Sequence, residues 1–236
     1  MSPAGRQYGG RSPEDRRDDR RQRLLAAGLA LIGETGLAAL TVRGVCARAG
    51  LTPRYFYEEF GTGDALAREL FDREFDRAQA RVLAAVSELG DGRTTLELVR
   101  AAVGVVARVF TENPARAAVL LTESSGTGPL AERRAARMDD LIAVLSAFGR
   151  SSYGSGDAPL GEAEQAIADR SVRVAASFVA GGLAQTLDAW LRGELGDAVD
   201  PLVDELAEQI VAVGDAANAR LVRTIAELRE AADRAG

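Results

Sequence analysis

The stretch that decides the fold is GLAALTVRGVCARAGLTPRYFYEEFGTGDAL, residues 36–66. Thr41 and Thr52 stand where the N-caps of two short helices belong, and Pro53 takes the first position of the second one. Gly50 lies between these two short segments, where a residue without a Cβ can end a helix in a tight turn. The stretch therefore has the length of a helix-turn-helix and the residues that begin and end its helices, although two short helices near a turn also occur in other all-α proteins.

Helical patterns continue on both sides of this stretch. The first helix is predicted from about Pro13 to Glu34, and the third short helix ends at Gly61. Further helices are predicted at about 62–89, 94–112, 113–124, 130–148, 162–192 and 200–234, the last with a bend at Gly214, and residues 149–161 are predicted as a loop. The chain is thus predicted to be all-α, with about nine helices and possibly a tenth.

Composition excludes several classes of function. The chain has 29 Arg and no Lys, 35 acidic residues, a net charge of −6, no His and one Cys. A Cys/His zinc site, a Ser-His-Asp or Cys-His catalytic centre and an intrachain disulfide are therefore ruled out. The longest uncharged run, Val174–Leu187, has 14 residues, fewer than the roughly 20 that span a bilayer. We expect a cytoplasmic protein without signal peptide or membrane partner, without metal or cofactor, and not an enzyme.

The quoted stretch resembles the DNA-binding region of the TetR (tetracycline-repressor) family. The similarity lies in the glycine after the first helix, Thr41, Ala49-Gly50-Leu51 at the turn, and the aromatic run Phe56-Tyr57 with Phe60. It covers roughly residues 24–70, and beyond them the agreement is limited to the number and length of helices.

The resemblance implies a division into a disordered arm (1–13), a three-helix helix-turn-helix DNA-binding domain (14–61), and a helical ligand-binding and dimerisation domain (62–236). It also implies a homodimeric repressor that binds a palindromic operator in double-stranded DNA and is released by a small-molecule effector. In such proteins the ligand cavity lies within helices four to eight, and helices eight and nine form the dimer interface.

The candidate DNA contacts lie on the second and third helices. Arg54 is the best candidate for reading a base, because a guanidinium can bond to guanine O6 and N7 together. Arg43 could reach a phosphate or a guanine edge, and Tyr57 matches the phosphate-binding tyrosine of the family. The full predicted set is Thr41, Arg43, Thr52, Pro53, Arg54, Tyr55 and Tyr57.

Two departures from the family pattern weaken the expected DNA contact. The family usually has a lysine at the start of the fourth helix, where this chain has Gly63, and Glu59 replaces a frequent histidine. With Glu58, the recognition helix carries two carboxylates, which repel phosphate unless they read cytosine or turn away. Residues 1–60 nevertheless contain ten Arg and seven acidic residues, so 10 − 7 gives +3 for this part of an acidic chain.

The rest of the chain gives candidates for two further sites. The small residues of helix eight favour close approach of another helix, either from a partner subunit or from the same subunit. The predicted dimer interface is Ala180, Gly181, Ala184, Trp190, Leu202, Leu206 and Ile210. The predicted ligand contacts are Val106, Phe110, Leu120, Leu121, Glu123, Met138, Phe148 and Phe178, which favours an apolar or amphipathic effector.

Two alternatives remain. A dimeric all-α interaction protein with weakened or lost DNA binding would agree with Gly63 and the two glutamates. An all-α enzyme could use paired carboxylates such as Asp139 and Asp140, but adjacent residues of a helix do not face each other, which is poor geometry for acid-base catalysis.

Overall fold

The computed structural model describes residues 12–121, 130–153 and 160–235. Within these ranges the chain is all-α and contains no strand, which confirms the predicted fold class. The nine α-helices of the described part are α1 (Pro13–Thr35), α2 (Val42–Ala49), α3 (Pro53–Glu59), α4 (Gly63–Glu88), α5 (Thr95–Glu112), α6 (Pro114–Leu121), α7 (Ala131–Ser152), α8 (Glu162–Leu191) and α9 (Val199–Ala235). A 3₁₀ turn at Leu37–Ala39, which the sequence pattern did not predict, precedes α2. Of the predicted arm, residues 1–11 lie outside the described residues.

The chain forms two compact units. Unit 1 comprises residues 1–74 and 113–124, and unit 2 comprises residues 75–112 and 125–236. Unit 1 contains α1 to α3, the first part of α4, and α6. In it, α1 packs against α2, α3 and α6 around a core of fully buried side chains that includes Leu24, Val45, Phe56 and Leu66.

Local capping explains where the helices of unit 1 begin. Ser12 and Asp15 form a reciprocal capping box at the start of α1, followed by a proline at its first position. Thr62 Oγ1 accepts a hydrogen bond from Ala65 N at 3.1 Å at the start of α4. Asn113 Oδ1 accepts one from Ala115 N at 3.0 Å at the start of α6. These short-range bonds are the reason why the sequence predicted the helix starts closely.

Unit 2 is built from α5, α7, α8, α9 and the second part of α4. The contacts run between α5 and α9, between α7 and α8, and between α8 and α9. An ion pair from Arg229 Nε to Glu164 Oε1 at 2.6 Å joins α9 to the start of α8. The bond from Arg229, together with one from the Gly161 backbone N–H, lowers the pKa of Glu164 to about 2. None of the helices in residues 12–121, 130–153 and 160–235 combines the length and hydropathy needed to cross a membrane.

The predicted end of the seventh helix was wrong. The loop predicted from residue 149 begins later, because α7 continues to Ser152 and its last turn closes with Tyr153 N bonded to Gly149 O at 3.0 Å. Gly214, where a bend was predicted, lies within one continuous helix, α9, from Val199 to Ala235. The described part of α6 ends at Leu121, and residues 122–124 of its predicted span lie outside the described residues.

Gly214 serves for packing. The hydroxyl of Tyr153 lies 3.4 Å from Val211 O, and its ring lies against Gly214. A Cβ at position 214 would stand 2.5 Å from the Tyr153 hydroxyl oxygen and 2.8 Å from two ring carbons. Burial, followed by the hydrogen bond to Asp215, raises the pKa of Tyr153 to about 12. The tyrosine is therefore a neutral side chain that fixes the end of α7 on α9.

Gly214→Ala is expected to lower the free energy of unfolding by about 1–3 kcal/mol, the usual cost of forcing an extra group into a packed site. Urea denaturation followed by circular dichroism measures this change. The matched control is the same substitution in a Tyr153→Ala background, where alanine should be the better helix residue by about 1 kcal/mol. A stabilised Gly214→Ala single variant would contradict the packing role.

Candidate nucleic-acid interface and ligand cavity

The residues predicted to contact DNA lie on the surface of unit 1. The start of α3 is held by Phe56, which is fully buried and directs the neighbouring side chains outward. Cys46 and Phe60 also belong to the core, as the sequence predicted. The exposed residues are Thr41, Arg43, Thr52, Pro53, Arg54, Tyr55 and Tyr57.

The two threonines of this surface differ in their hydrogen bonds. Thr41 Oγ1 accepts from Gly44 N at 3.1 Å and caps α2, so its hydroxyl proton can still be donated to another group. Thr52 occupies the N-cap position of α3, but its side chain makes no capping bond. The backbone carbonyl of Thr52 instead accepts from Tyr55 N at 3.1 Å. The predicted side-chain cap at Thr52 was therefore wrong, and its hydroxyl is exposed.

The turn between α2 and α3 is a Schellman motif. Gly50 has φ = +63° and ψ = +38°, which is the left-handed conformation that glycine adopts at little cost. Leu51 N then reaches back to Cys46 O at 3.0 Å. Arg23 Nη2 of α1 donates to Ala49 O at 2.6 Å and occupies another carbonyl of the last turn. The angle between α2 and α3 is thus fixed by bonds within the turn and by a side chain of α1.

Arg54 forms an ion pair with its own helix. Its Nε lies 2.8 Å from Glu58 Oε1, one turn further along α3, and both side chains are exposed. This hydrogen bond raises the pKa of Arg54. A group that binds Arg54 must therefore either replace the Glu58 carboxylate as its partner or bind Arg54 while this ion pair stays intact.

The two tyrosines of α3 are supported differently. The guanidinium carbon of Arg20 lies 4.6 Å from the centre of the Tyr55 ring, a cation–π contact from α1. Tyr57 is 58% exposed and packs edge-on against Phe56, with ring centres 5.9 Å apart. Tyr57 is thus largely exposed, and a phenol at such a position can donate a hydrogen bond to an outside acceptor.

Glu59 faces inward, so this carboxylate of α3 turns away from the surface where a DNA phosphate would lie. Its side chain is 2% exposed, and both carboxylate oxygens lie 3.2 Å from Arg17 Nε of α1. Arg21 Nη1 donates to the Glu59 carbonyl at 3.1 Å and lies 3.5 Å from its carboxylate. Arg21 also pairs with Glu69 of α4 and stacks on Phe60 with 4.6 Å to the ring centre. Glu59 therefore joins α3 to α1 and does not face a DNA backbone.

Several arginines of the basic N-terminal region have internal partners. Besides Arg17, Arg21 and Arg23, Arg48 of α2 pairs with Glu34 of α1 through two bonds of 2.6 Å. Arg43 has no ion pair among the described residues and is exposed. The net charge of +3 for residues 1–60 therefore overstates the positive charge that is free on this surface.

Gly63 leaves room for a side chain at the first position of α4. A Cβ there would meet only Leu40 O, at 3.5 Å, which is ordinary van der Waals contact. A lysine, which the family usually has at this position, would therefore fit here. Steric crowding does not explain why this chain has glycine instead.

Unit 2 contains a cavity of about 270 Å³ between α5, α7, α8 and α9. Its wall is mainly aliphatic, with a few polar side chains. Typical wall residues are Val99 of α5, Leu145 and Phe148 of α7, Val172 and Val179 of α8, and Ile210, Val213 and Leu221 of α9. The sequence missed most of them because they occur as ordinary core positions of helices, and only packing shows where a core is incompletely filled.

Of the predicted ligand contacts, Phe148 lines this cavity. Phe178 is 68% exposed on α8, and Phe110 is 4% exposed in the core. Glu123 lies outside the described residues. The remaining predicted contacts are not among the wall residues: Val106, Leu120, Leu121 and Met138.

Four of the residues predicted for the subunit interface are instead buried inside unit 2. Ala180, Trp190, Leu202 and Leu206 are 1%, 5%, 8% and 9% exposed in the single chain. They pack α8 and α9 onto the chain's own core and leave little of their surface for a partner subunit. Ile210 lines the cavity, Ala184 is half-buried, and Gly181 is exposed.

The described residues hold no group of three or more Cys, Asp or Glu side chains placed to bind a metal ion. Asp139 and Asp140, the carboxylates of the enzyme alternative, are both exposed on α7. Arg137 Nη1 lies 3.9 Å from Asp140 Oδ2, so the latter belongs to a surface ion pair.

An exposed recognition surface on a helix-turn-helix, followed by a helical unit with a cavity, defines a class of DNA-binding regulators. Residues 24–70 match the family model described as bacterial regulatory proteins, tetR family. A comparison with curated protein sequences gives no match. The match runs from the second half of α1 to the first turns of α4, so the N-terminal region of this chain resembles the DNA-binding domain of that family.

Solved structures share the fold over most of the chain. A TetR-like transcriptional regulator from Rhodococcus sp. RHA1 is 20% identical, with a TM-score of 0.56 over 82% of this chain and 96% of that chain. The fatty acid degradation regulator FadR from Bacillus halodurans is 16% identical, with a TM-score of 0.63 over 85% and 96%. The regulator FadR from Bacillus subtilis in complex with stearoyl-CoA is 15% identical, with a TM-score of 0.60 over 82% and 98%. At these identities the likeness shows the fold.

Glu59→Gln is expected to lower the free energy of unfolding by about 1–2 kcal/mol, because it removes the charge that two partly exposed arginines neutralise in a buried position. Urea denaturation measures the loss. Glu58→Gln is the matched control on the neighbouring, exposed residue and should change stability by no more than about 0.5 kcal/mol. Equal effects of the two substitutions would contradict the structural role of Glu59.

Proposed function

We propose that the chain is a homodimeric repressor that binds a palindromic DNA operator and leaves it when a small, largely apolar effector occupies unit 2. The observation that carries the proposal is the exposed front of α2 and α3, where seven potential DNA contacts surround a helix that the core holds rigidly. Such a protein would act in the cytoplasm, where its operator is found.

The DNA-binding step rests on the chemistry of this front. Arg54 and Arg43 supply guanidinium groups for guanine edges or phosphates, and the exposed phenol of Tyr57 can donate to a phosphate. The Thr41 hydroxyl can cap α2 and donate to a phosphate at the same time. In helix-turn-helix proteins the N-terminal residues of the second helix meet the base edges, which corresponds to Thr52 through Tyr55.

The homodimer rests first on α8. From Val174 to Leu187 this helix has no charged residue, although one side of it is exposed. Val174 and Phe178, one turn apart, are 62% and 68% exposed. At Gly181 and Gly182 a Cβ would meet nothing within 4 Å. Close packing inside the subunit therefore does not require these glycines, and close approach of a partner helix is the explanation that remains.

Small and apolar residues are also exposed on α9, where they alternate with charged residues such as Asp215 and Arg223. Ala212, Ala216, Ala219 and Ala226 are exposed, and Val222 is 59% exposed. We define the dimer face as the exposed positions Val174, Phe178, Gly181 and Gly182 of α8 and Ala212, Ala216, Ala219, Val222 and Ala226 of α9. Small and apolar side chains at helical spacing suit a four-helix interface between two copies. A twofold dimer would present two recognition helices to half-sites about 34 Å apart.

The effector step rests on the cavity of unit 2. Its volume of about 270 Å³ is close to the lower end of the range for small-molecule sites, roughly 300–1,000 Å³. The similar regulator from Bacillus subtilis was solved with stearoyl-CoA, whose acyl chain is apolar, and this supports an effector with an apolar part. A ligand that favours one conformation of the chain would change the affinity for DNA by its difference in affinity for the two states.

One specific observation favours the alternative of an interaction protein with weakened DNA binding. The recognition helix holds Arg54 in an ion pair with Glu58, and α4 begins with Gly63 instead of a cation. Both features reduce the positive charge near a phosphate backbone. DNA selection separates the two proposals, because an interaction protein would enrich no duplex from a random library.

We expect selection from random duplexes to yield a palindromic site whose binding weakens with salt, with log K falling by about 0.9 per phosphate contact for each unit of log salt. Changing both Arg43 and Arg54 to Ala should weaken binding to the selected site by at least about tenfold. Fluorescence anisotropy at several salt concentrations measures both effects.

Gly63→Lys is the opposite control, because α4 has space for the side chain. It should strengthen binding and increase the salt slope by about 0.9, one phosphate contact. Glu58→Gln should strengthen binding by releasing Arg54. Unchanged affinity after loss of both arginines would contradict the assigned DNA contacts.

Phe178→Glu is expected to convert the dimer to a monomer, because it places a carboxylate in the middle of the dimer face. Sedimentation velocity measures the change, and circular dichroism checks that the helices remain. Leu83→Glu is the matched control, since Leu83 is also an exposed apolar residue (59%) but lies on α4. A Phe178→Glu variant that stays dimeric would refute this interface.

A further inference from the structure

The described wall of the cavity in unit 2 is positively charged, whereas the chain as a whole has a net negative charge. Arg150 is the only wall residue with a formal charge, and no carboxylate lines the cavity among the described residues. The whole chain has 35 acidic residues and 29 arginines. Within residues 12–121, 130–153 and 160–235 the wall therefore has one cation and no anion, which is opposite in sign to the net charge of the chain and favours a ligand with a negative charge.

Arg150 is available to such a ligand. Its Nη1 lies 3.8 Å from Asp169 Oδ1, beyond hydrogen-bond distance, and its side chain is half exposed. It makes no hydrogen bond with another described side chain. Its guanidinium can therefore offer planar donors to a carboxylate bound in the cavity.

The other titratable wall residue does not compete for this role. The hydroxyl of Tyr153 faces Val211 O and Asp215 of α9, so its proton is already directed to acceptors within the chain. Asp215 lies next to Tyr153 and Asp169 next to Arg150, but neither belongs to the wall. The remaining polar wall residues are uncharged: Thr95, Gln165, Ser171 and Asn218.

The volume indicates how much of a ligand the cavity encloses, since the cavity is partly open to solvent. At roughly 30 Å³ for each water-sized group, about 270 Å³ corresponds to about nine enclosed groups. The aliphatic side chains of four helices surround this space, which suits an unbranched hydrocarbon tail.

We propose that this cavity binds a monocarboxylic acid with an aliphatic tail, of about ten non-hydrogen atoms, whose carboxylate is held by Arg150. The inference names the effector class of the proposed function and rests on that function only for its effect on DNA binding. The binding of the acid itself is measurable without DNA.

Isothermal titration calorimetry of the full chain with octanoate tests the proposal. Octanoate should bind, octan-1-ol with the same number of carbon atoms should bind at least about tenfold more weakly, and Arg150→Gln should weaken octanoate by about ten- to a hundredfold. Arg170→Gln is the matched control, since Arg170 is an exposed arginine of α8 outside the cavity wall. It should leave octanoate affinity unchanged.

Three outcomes would overturn the proposal: no octanoate binding, equal binding of octan-1-ol, or equal loss in both arginine variants. Tighter binding of hexadecanoate than of octanoate would overturn the size assignment. Anisotropy with the selected operator is a separate measurement. Arg150-dependent octanoate binding without release of DNA would support the site and reject the repressor mechanism, whereas absence of any DNA binding would reject the proposed function alone.

Discussion

The exposed surface of α2 and α3 depends on the contacts of one side chain, Arg21. From α1 it donates to the Glu59 carbonyl at the end of α3, pairs with Glu69 of α4 and stacks on the ring of Phe60. The α3 helix has seven residues, too few to be stable alone in water. Its position must therefore come from tertiary contacts, and Arg21 and Phe56 supply a polar and an apolar one. A rigid α3 is what allows exposed side chains to meet a duplex in a fixed register.

This way of holding α3 reduces the charge available for DNA. Arg17, Arg21, Arg23 and Arg48 bind carboxylates or carbonyls of unit 1, and Arg54 binds Glu58. Exposed pairs such as Arg54 and Glu58 contribute little to stability and can exchange partners at low cost. The ion pairs of the buried Glu59 carboxylate with Arg17 and Arg21 cannot exchange partners in this way. The chain therefore separates arginines that build the domain from those that can contact DNA, and few remain for the second role.

The sequence predicted what depends on neighbouring residues and missed what depends on distant ones. Thr41, Gly50 and Asn113-Pro114 fix helix ends through bonds within five residues, so their roles could be predicted. The inward direction of Glu59 requires Arg17, 42 positions away in the chain. The cavity wall is likewise drawn from four helices, and an aliphatic residue in a cavity wall has the same sequence pattern as one in a filled core.

Two glycines of unit 2 also have roles that depend on residues far away in the sequence, and one of them bears on the proposed dimer. Gly214 and Gly181 both lie inside long helices, where glycine costs about 1 kcal/mol relative to alanine. At Gly214 the cost is explained within the chain, because Tyr153 fills the space of the missing Cβ. At Gly181 that space is empty, and the surrounding face carries Val174 and Phe178 in solvent. A glycine that costs helix stability and lies beside exposed apolar side chains is explained if a second helix covers this surface, and this supports the proposed dimer.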